Sequence, residues 1–218
     1  MRDWLVIGLT ALPADTAQVR RTLAALPPSL LPPAAGTWHE NKRAGFAASR
    51  TLLLSTVAQL PPELRPADAV ASLRDRTAGP PWWSVSHTAG FAACVWSTAG
   101  RCGIDIESAS RTVNGGAVMA RYFAAEEQAW LSGLPPEARQ TRFLDLWTRK
   151  EAVIKALGRG IAGHLDRIVF GPERNEPVRL PADCPDVSLH VRTEMISGLH
   201  LAIAWQGDGD VHILRSGF

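Results

Sequence analysis

The sequence contains few cysteines, and their spacing is not that of a metal site. Cys94, Cys102 and Cys184 are an odd number, and no two of them form a CxxC pair. This pattern argues against a disulfide framework and against a zinc site. We therefore expect the protein to work in a reducing compartment.

Long apolar runs are absent as well. The amino-terminal stretch MRDWLVIGLTALP contains a short apolar run, preceded by one charge of each sign. That run is too short to span a bilayer, and it is not followed by the small-residue cleavage site of a signal peptide. The sequence thus predicts a mature cytoplasmic protein that does not bind a membrane.

Charge of one sign is not in excess, because 23 basic and 21 acidic residues leave a net charge of +2. So small a value does not predict nucleic acid or an anionic membrane as a partner, and any anion must be bound at a local site. With 218 residues, of which 46% are hydrophobic and 20% charged, the chain can bury a sizeable core. We expect one large domain or two small ones.

The first third of the chain is divided by proline. Two proline-rich segments, 26–36 and 60–68, flank a stretch in which Phe46, Leu53 and Val57 recur at helical intervals. This pattern predicts one helix between two irregular connections.

Strands and helices then alternate. Aromatic and β-branched residues separated by glycines predict three strands within 82–108. Helical periodicity follows over 120–134 and 135–157, and a tail of short alternating segments completes the chain. The order of helix then strands therefore occurs twice, which predicts an α+β fold with two halves, 1–100 and 101–218.

Two carboxylates lie two positions apart in the segment GIDIE. On a strand, Asp105 and Glu107 share one face, while Ile104 and Ile106 point to the other. Adjacent anions repel unless a cation or water lies between them, and hard oxygen ligands suit Mg²⁺ better than zinc. The simpler alternative is a solvent-facing strand edge that ends in acidic residues.

The segment SVSH, residues 84–87, has two interpretations. Ser86, His87 and the Gly90 backbone could donate hydrogen bonds to a phosphate, or the segment is a turn whose histidine is satisfied locally. Nucleophilic catalysis is disfavoured, because a GxSxG elbow is missing and neighbouring residues on one strand do not face each other.

The stretch WTRKEAVIKALGRGI places a carboxylate on the apolar face of a helix, because Glu151 shares that face with Trp147 and Ile154. Lys155 lies one turn further on, so a simple ion pair between Glu151 and Lys155 is one explanation. Further cations, Arg43 and Arg50, are seven residues apart on the earlier helix. Without other information they would be a solvated helix face.

In this order and spacing the segments resemble the Sfp-type 4′-phosphopantetheinyl transferases of the holo-acyl-carrier-protein synthase superfamily. The resemblance rests on an NxSH-like strand, the GIDIE strand and a WxxKEAxxKxxGxG helix, and it is firm from Trp83 to Ile161. A weaker similarity, RxxxxxxRTLL, begins at Arg43. The resemblance implies a pseudo-dimer of two similar α+β halves with the active site in the cleft between them.

The resemblance also implies an activity, which is Mg²⁺-dependent transfer of 4′-phosphopantetheine from coenzyme A to a serine of an apo acyl or peptidyl carrier protein. Adenosine 3′,5′-bisphosphate would be released, and the protein would be a monomer. Asp105, Glu107 and Glu151 would bind the metal, and Glu151 or a metal-bound water that it orients would take the serine proton. Phosphate contacts would come from six residues, namely Arg43, Arg50, Ser86, His87, Lys150 and Lys155, of which Lys155 would also act in catalysis.

The sequence departs from the family pattern at two places. Ser84 stands where the family often has asparagine, and Gly79-Pro80-Pro81 replaces a GKP segment whose lysine can touch the nucleotide. Arg74 or Arg76 could substitute for that lysine.

Two other classes of function fit parts of the pattern. Three carboxylates and a lysine around Mg²⁺ also suit a phosphoesterase or nuclease, which would need no acceptor protein. A catalytically silent module that binds carrier proteins should have lost a metal carboxylate, and none is lost here.

Overall fold

The computed structural model describes residues 3–75, 79–112, 115–159, 165–184, 187–208 and 210–217. Its helices are α1 Thr16–Ala25, α2 Glu40–Thr56, α3 Ala69–Arg74, α4 Gly115–Tyr122, α5 Ala125–Ser132 and α6 Pro136–Ala156. Its strands are β1 Asp3–Ala11, β2 Trp82–Thr88, β3 Phe91–Ser97, β4 Cys102–Ser108, β5 Val169–Phe170, β6 Pro177–Arg179, β7 Leu189–Ile196, β8 Leu199–Gln206 and β9 Val211–Ser216. None of the helices in these ranges is long and apolar enough to cross a membrane.

The chain forms two compact units, and its last strand belongs with the first one. One unit comprises Met1–Gly100 together with Gly209–Phe218, and the other comprises Arg101–Asp208. The predicted second half ran to residue 218, so the structure differs from that prediction over the last ten residues. The reason is that β9 pairs in parallel with β1, a long-range contact without a local sequence signal.

The first unit is a mixed sheet covered by a helix. Its strand order is β2-β3-β1-β9, and α2 packs across β1 and β3. The core between them contains Val6, Leu53 and Trp96, and the Trp96 indole donates a hydrogen bond to the Leu53 carbonyl oxygen. The predicted helix between the proline-rich segments is confirmed as α2.

The second unit places a long helix on an antiparallel sheet of order β4-β8-β7. Helix α6 packs across β4 and β8, and a stack of Phe123, Phe143 and Trp147 rings closes the core beside it. Strands β7 and β8 are joined through Ser197 and Gly198, both with positive φ, as a tight hairpin turn requires. The predicted α+β class is confirmed in both units.

The helix predicted over 120–134 is divided into α4 and α5. Ala124 has an extended backbone, and its N–H donates to the side chain of Glu127 one turn further on. That hydrogen bond satisfies a free donor at the start of α5, so a new helix begins there. Helical periodicity alone did not reveal the break.

Candidate active site

Strand β4 carries two buried carboxylates on one face. Asp105 and Glu107 are only 5% and 6% exposed, which excludes the alternative of a solvent-facing strand edge. Ile104 and Ile106 are buried on the opposite face, as the alternation of a strand predicts. Ionised groups at such depth need nearby cations or hydrogen-bond donors.

Helix α6 approaches this face of β4 very closely. At Gly103 a Cβ would come within 1.9 Å of the Ala152 carbonyl oxygen and 2.8 Å of Lys155 Cβ. Only glycine therefore allows this contact. The sequence pattern predicts Gly103 only as a break between strands, whereas this residue lies within β4, at the start of the GIDIE segment.

Lys155 reaches across this contact to β4. Its Nζ donates to Asp105 Oδ1 at 2.8 Å and to the Ile104 carbonyl oxygen at 2.9 Å. The alternative of a pair with Glu151 on the same helix is therefore replaced by an ion pair between helix and strand. Because 23% of its side chain stays exposed, Lys155 remains accessible to a ligand.

Glu151 lies where negative charge is concentrated. Burial, and then the neighbouring carboxylate of Asp105, raise the pKa of Glu151 to about 7, while Lys155 acts in the opposite direction. Glu107 also contributes to the raised pKa. The three carboxylates named from the sequence therefore interact electrostatically, although more than forty residues separate β4 from Glu151.

The arrangement is one of ion pairs, with Lys155 on Asp105 and Arg111 on Glu107. Within the ranges that the structure describes, no three acidic, histidine or cysteine side chains are arranged as a preformed metal site. The donor type nevertheless fits a hard divalent cation, because all three groups are carboxylates, while Lys155 and Arg111 compete with the cation for two of them. Arg111 was not named from the sequence, and nothing in its local pattern marks it.

The structure corrects the role expected for Lys150. This residue is completely buried, and its ammonium group pairs with Glu127 and donates to the Ile168 carbonyl oxygen at 2.7 Å. Burial lowers the pKa of Lys150, and the attraction of Glu127 opposes that shift. A phosphate cannot reach Lys150 in this arrangement. Glu127 was also missed by the sequence analysis.

Helix α6 ends at the glycine that the sequence places there. Gly158 has a φ of 70°, its N–H donates to the Lys155 carbonyl oxygen, and the Arg159 N–H donates to that of Ile154. These bonds form a Schellman motif, which ends the helix at Ala156, the residue after Lys155. Gly160, the second glycine of the sequence motif WxxKEAxxKxxGxG, lies outside the described residues.

In the first unit, Ser86 and His87 point in opposite directions, because they are successive residues of β2. His87 is exposed and lies against α2 at Gly45, where a Cβ would come within 2.4 Å of its ring. Ser86 is buried on the other face. The two side chains are therefore not brought together as the sequence predicted.

An open cavity of about 620 Å³ adjoins His87. It is also lined by Asn41 and Ala44 of α2 and by the turn from Thr88 to Gly90. Asn41 precedes the predicted basic positions of α2, and no pattern pointed to it.

The two arginines of α2 have well-defined surroundings. The guanidinium of Arg50 lies 4.9 Å from the centroid of the Phe46 ring and 4.8 Å from that of Trp83. Arg43 is partly buried, and its Nε is enclosed without a hydrogen-bond partner among the described residues. Neither arginine matches the alternative of a fully solvated helix face.

The two departures from the family pattern, Ser84 and Gly79-Pro80-Pro81, lie within the described residues. Ser84 is completely buried within β2, and Gly79 has a φ of 95° just before the two prolines. Arg74 ends α3, whereas Arg76 lies outside the described residues.

Comparison with known proteins completes the description of the second unit. A family model, the 4′-phosphopantetheinyl transferase superfamily, matches residues 101–204. This segment belongs to that superfamily. It contains β4 and α6, and therefore every carboxylate of the candidate site.

Named members of the superfamily match over part of their length. A putative 4′-phosphopantetheinyl transferase of Synechocystis is 35% identical over 103 residues, 47% of this chain and 41% of that protein. HetI of Nostoc is 35% identical over 98 residues, 45% and 41% of the two chains. AcpT of Salmonella typhi is 30% identical over 117 residues, 54% and 60%. The matched segment thus spans less than two thirds of the length of each of these relatives.

Among solved structures, holo-[acyl-carrier-protein] synthase of Thermotoga maritima aligns with 51% of this chain and 64% of its own. The TM-score is 0.41 and the sequence identity is 24%.

Proposed function

We propose that the protein transfers the 4′-phosphopantetheine group of coenzyme A to a serine of an apo acyl or peptidyl carrier protein. The observation that carries this proposal is the group of interacting carboxylates beside Lys155, within a segment that belongs to the superfamily. Relatives of that segment are themselves named 4′-phosphopantetheinyl transferases. We also propose coenzyme A as the substrate and adenosine 3′,5′-bisphosphate as the released product, as the resemblance to the superfamily implies.

Asp105, Glu107 and Glu151 are the residues that would hold Mg²⁺. When bound, the ion would neutralise the charge that develops on the phosphate oxygens during transfer. Lys155 and Arg111 now balance two of these carboxylates, so the protein already holds positive charge at this position. The fit to Mg²⁺ is therefore one of donor type.

In the proposed reaction, the serine hydroxyl of the carrier protein attacks the β-phosphorus of coenzyme A. A new bond forms between the serine oxygen and this phosphorus, the bond to the bridging oxygen breaks, and adenosine 3′,5′-bisphosphate leaves with the electron pair. We assign acceptance of the serine proton to Glu151. Burial and neighbouring anions raise the pKa of Glu151 to about 7 when no metal is bound, and Mg²⁺ on its oxygens would lower that pKa. The assignment therefore rests on the position of Glu151 beside Asp105 and Lys155.

We assign phosphate contacts to the cations that are accessible. Both lysines belong to α6, but only Lys155 is partly exposed, so we propose that Lys155 and not Lys150 contacts a phosphate of coenzyme A. In the first unit, exposed His87 beside its cavity, Arg43 and Arg50 remain proposed phosphate contacts. Ser86, buried on the opposite face of β2, is the weaker member of that set.

Other expectations stay predictions. These are the pseudo-dimer with its active-site cleft, the monomeric state and the absence of nucleic acid from the function.

The function is tested by incubating the protein with coenzyme A, Mg²⁺ and a panel of apo carrier proteins. Intact mass spectrometry should show the addition of one phosphopantetheine group to at least one carrier, and chelation of Mg²⁺ should prevent it. Hydrolysis of coenzyme A without modification of any carrier would instead indicate a phosphoesterase.

The proton acceptor is tested with Glu151→Gln, which keeps the size of the side chain and one oxygen but removes the basic oxygen. We expect turnover to fall by orders of magnitude, while coenzyme A affinity in Mg²⁺, measured by calorimetry, falls far less. Glu137→Gln, at the exposed start of α6, is the matched control. Turnover that survives with weakened affinity would make Glu151 a ligand only.

A further inference from the structure

Lys150 is enclosed on all sides. Its side chain is 0% exposed, its Nζ pairs with the Glu127 carboxylate and donates to the Ile168 carbonyl oxygen, and the Phe123 ring centroid lies 4.9 Å from Nζ. A lysine ammonium group has three N–H donors and no acceptor. The ammonium group of Lys150 therefore interacts only with groups of the protein itself, namely Glu127, the Ile168 carbonyl oxygen and the Phe123 ring.

Glu127 joins three elements of the second unit through one carboxylate. Its Oε2 accepts from the Ala124 N–H at the start of α5, at 2.9 Å, and also from Lys150 of α6. Its Oε1 accepts from the Phe170 N–H of β5, also at 2.9 Å. The side chain is completely buried, so that each of these bonds is shielded from water.

A buried ion pair of this kind is costly to form and specific in geometry. Removal of one partner leaves an uncompensated charge inside the protein, whereas removal of both is much less harmful. The pair therefore tolerates little displacement of α6 relative to α5 and β5.

The position of Lys150 on the helix connects this pair to the candidate site. Glu151 is the next residue, about 100° further round the helix, and Lys155 lies about 40° from Glu151. Lys155 contacts Asp105 on β4, while Lys150 is held at α5 and β5. Helix α6 is thus fixed on two sides, and any rotation about its axis would move Glu151.

We propose that Glu127 and Lys150 are positioning residues, whose buried ion pair fixes the rotation of α6 and so orients Glu151 and Lys155 toward Asp105. This inference rests on the proposed function where it concerns turnover. In this role Lys150 does not contact phosphate, and Glu127 affects the reaction without contacting the substrate.

The test compares Glu127→Gln, Lys150→Met and the double variant with Glu126→Gln, a neighbouring exposed residue paired with Arg179. Each single variant should lower kcat at least tenfold at a temperature where it is folded, and any rise in KM for coenzyme A should be similar in the two variants, because both displace Lys155. The loss in the double variant should be smaller than the product of the single losses. Glu126→Gln should match the natural protein.

Three results would overturn the proposal. A tenfold loss of coenzyme A affinity in Lys150→Met that Glu127→Gln does not share, measured by calorimetry, would return this lysine to a phosphate role. Lowered melting temperatures with unchanged kcat would make the pair structural only. Independent, multiplicative losses would show that the two residues do not act as a pair. If a single variant fails to fold, Glu127→Asp keeps the charge with a shorter reach and should still lower kcat.

A second measurement does not depend on activity. The coupling between Asp105 and Lys155, obtained from the thermal stabilities of Asp105→Asn, Lys155→Met and their double variant, should fall at least by half when Lys150 is also methionine. Unchanged coupling would contradict positioning, even if the natural protein transferred nothing to any carrier. Failure of the proposed function is recognised separately, by the absence of transfer in the natural protein.

Discussion

At the residue scale, Lys150 and Lys155 show how surroundings decide the role of a side chain. Both belong to α6, but one is completely enclosed by Glu127, Ile168 and Phe123, while the other keeps part of its side chain in solvent. A ligand phosphate can approach only a cation that retains such access. The same residue type therefore stabilises the core at one position and is available for chemistry five residues later.

The substitution Asp105→Asn should change stability little. It removes the ion pair with Lys155, but it also removes a carboxylate that repels Glu151, and Lys155 keeps its bond to the Ile104 carbonyl oxygen. We expect the free energy of unfolding to change by about 1 kcal/mol or less, measured by chemical denaturation, while transfer is lost.

Lys150→Met is the matched comparison, because it leaves Glu127 charged and buried. Its expected loss of stability is about 3–5 kcal/mol. A large loss for Asp105→Asn as well would indicate that Asp105 is mainly structural.

The thiol of Cys94 should make the protein sensitive to alkali. Burial raises the pKa of Cys94 from 9.0 to about 12, against weaker opposing effects of its Thr56 and Gly8 contacts. The unfolded state therefore loses this proton at lower pH than the folded state does. The associated stability is complete below pH 9.0 and is lost as the pH rises from there toward about 12.

Cys94→Ala tests this dependence. Between about pH 8 and about pH 10.5, the natural protein should lose about 2 kcal/mol more than the variant in free energy of unfolding. The comparison of the two pH values cancels any constant cost of the smaller side chain. Parallel losses in the two proteins would exclude an effect of Cys94.

At the element scale, the contact between β4 and α6 depends on the absence of a side chain. Gly103→Ala would place a Cβ 1.9 Å from the Ala152 carbonyl oxygen, and helix backbone cannot move away as a flexible side chain can. We expect a loss of about 1–3 kcal/mol in the free energy of unfolding, and a larger loss of transfer because Asp105 is displaced from Lys155.

The control for this substitution is Gly133→Ala. There the nearest atom would be 3.4 Å from the new Cβ, and the backbone is already in the helical region. Denaturant unfolding should show this variant close to the natural protein. Equal stability of the Gly103 and Gly133 variants would mean that α6 can move away from β4 without cost.

Most elements could be predicted because their signals are local. Prolines bounded α2, alternation with glycine breaks marked β2, β3 and β4, and two prolines opened α6. The break between α4 and α5 could not be predicted, because Ala124 carries no capping side chain and the carboxylate that caps α5 is that of Glu127.

At the scale of the whole molecule, the chain returns to its first unit after completing the second. Strand β9 lies along β1, with partners from Asp3 and Val211 to Gly8 and Ser216. Its removal would expose the backbone edge of β1, whose central residues Leu5, Val6 and Ile7 are completely buried.

Deletion of residues 209–218 should therefore destabilise the first unit selectively. Hydrogen exchange followed by mass spectrometry should show faster exchange in peptides from β1 and β3, with β4, α6 and β8 nearly unchanged. Equal acceleration in both units would show that they unfold together, and no acceleration would show that β9 contributes little.

The sequence by itself determined the α+β class, the helix that carries Glu151 and Lys155, and the shared face of Asp105 and Glu107. Each of these follows from periodicity and turn chemistry within a few residues. The superfamily model that matches residues 101–204 covers the same segments, GIDIE and WTRKEAVIK.

Only the tertiary structure decided which charges meet. Lys150 could not be distinguished from Lys155 by spacing, because its partner Glu127 is 23 residues away and its burial depends on α5 and β5. Likewise, β9 pairs with β1 although the two strands are at opposite ends of the chain. Ser86 and His87 point to opposite faces of the sheet, because they are successive residues of β2. Burial and charge pairing are properties of residues distant in sequence, which no local pattern contains.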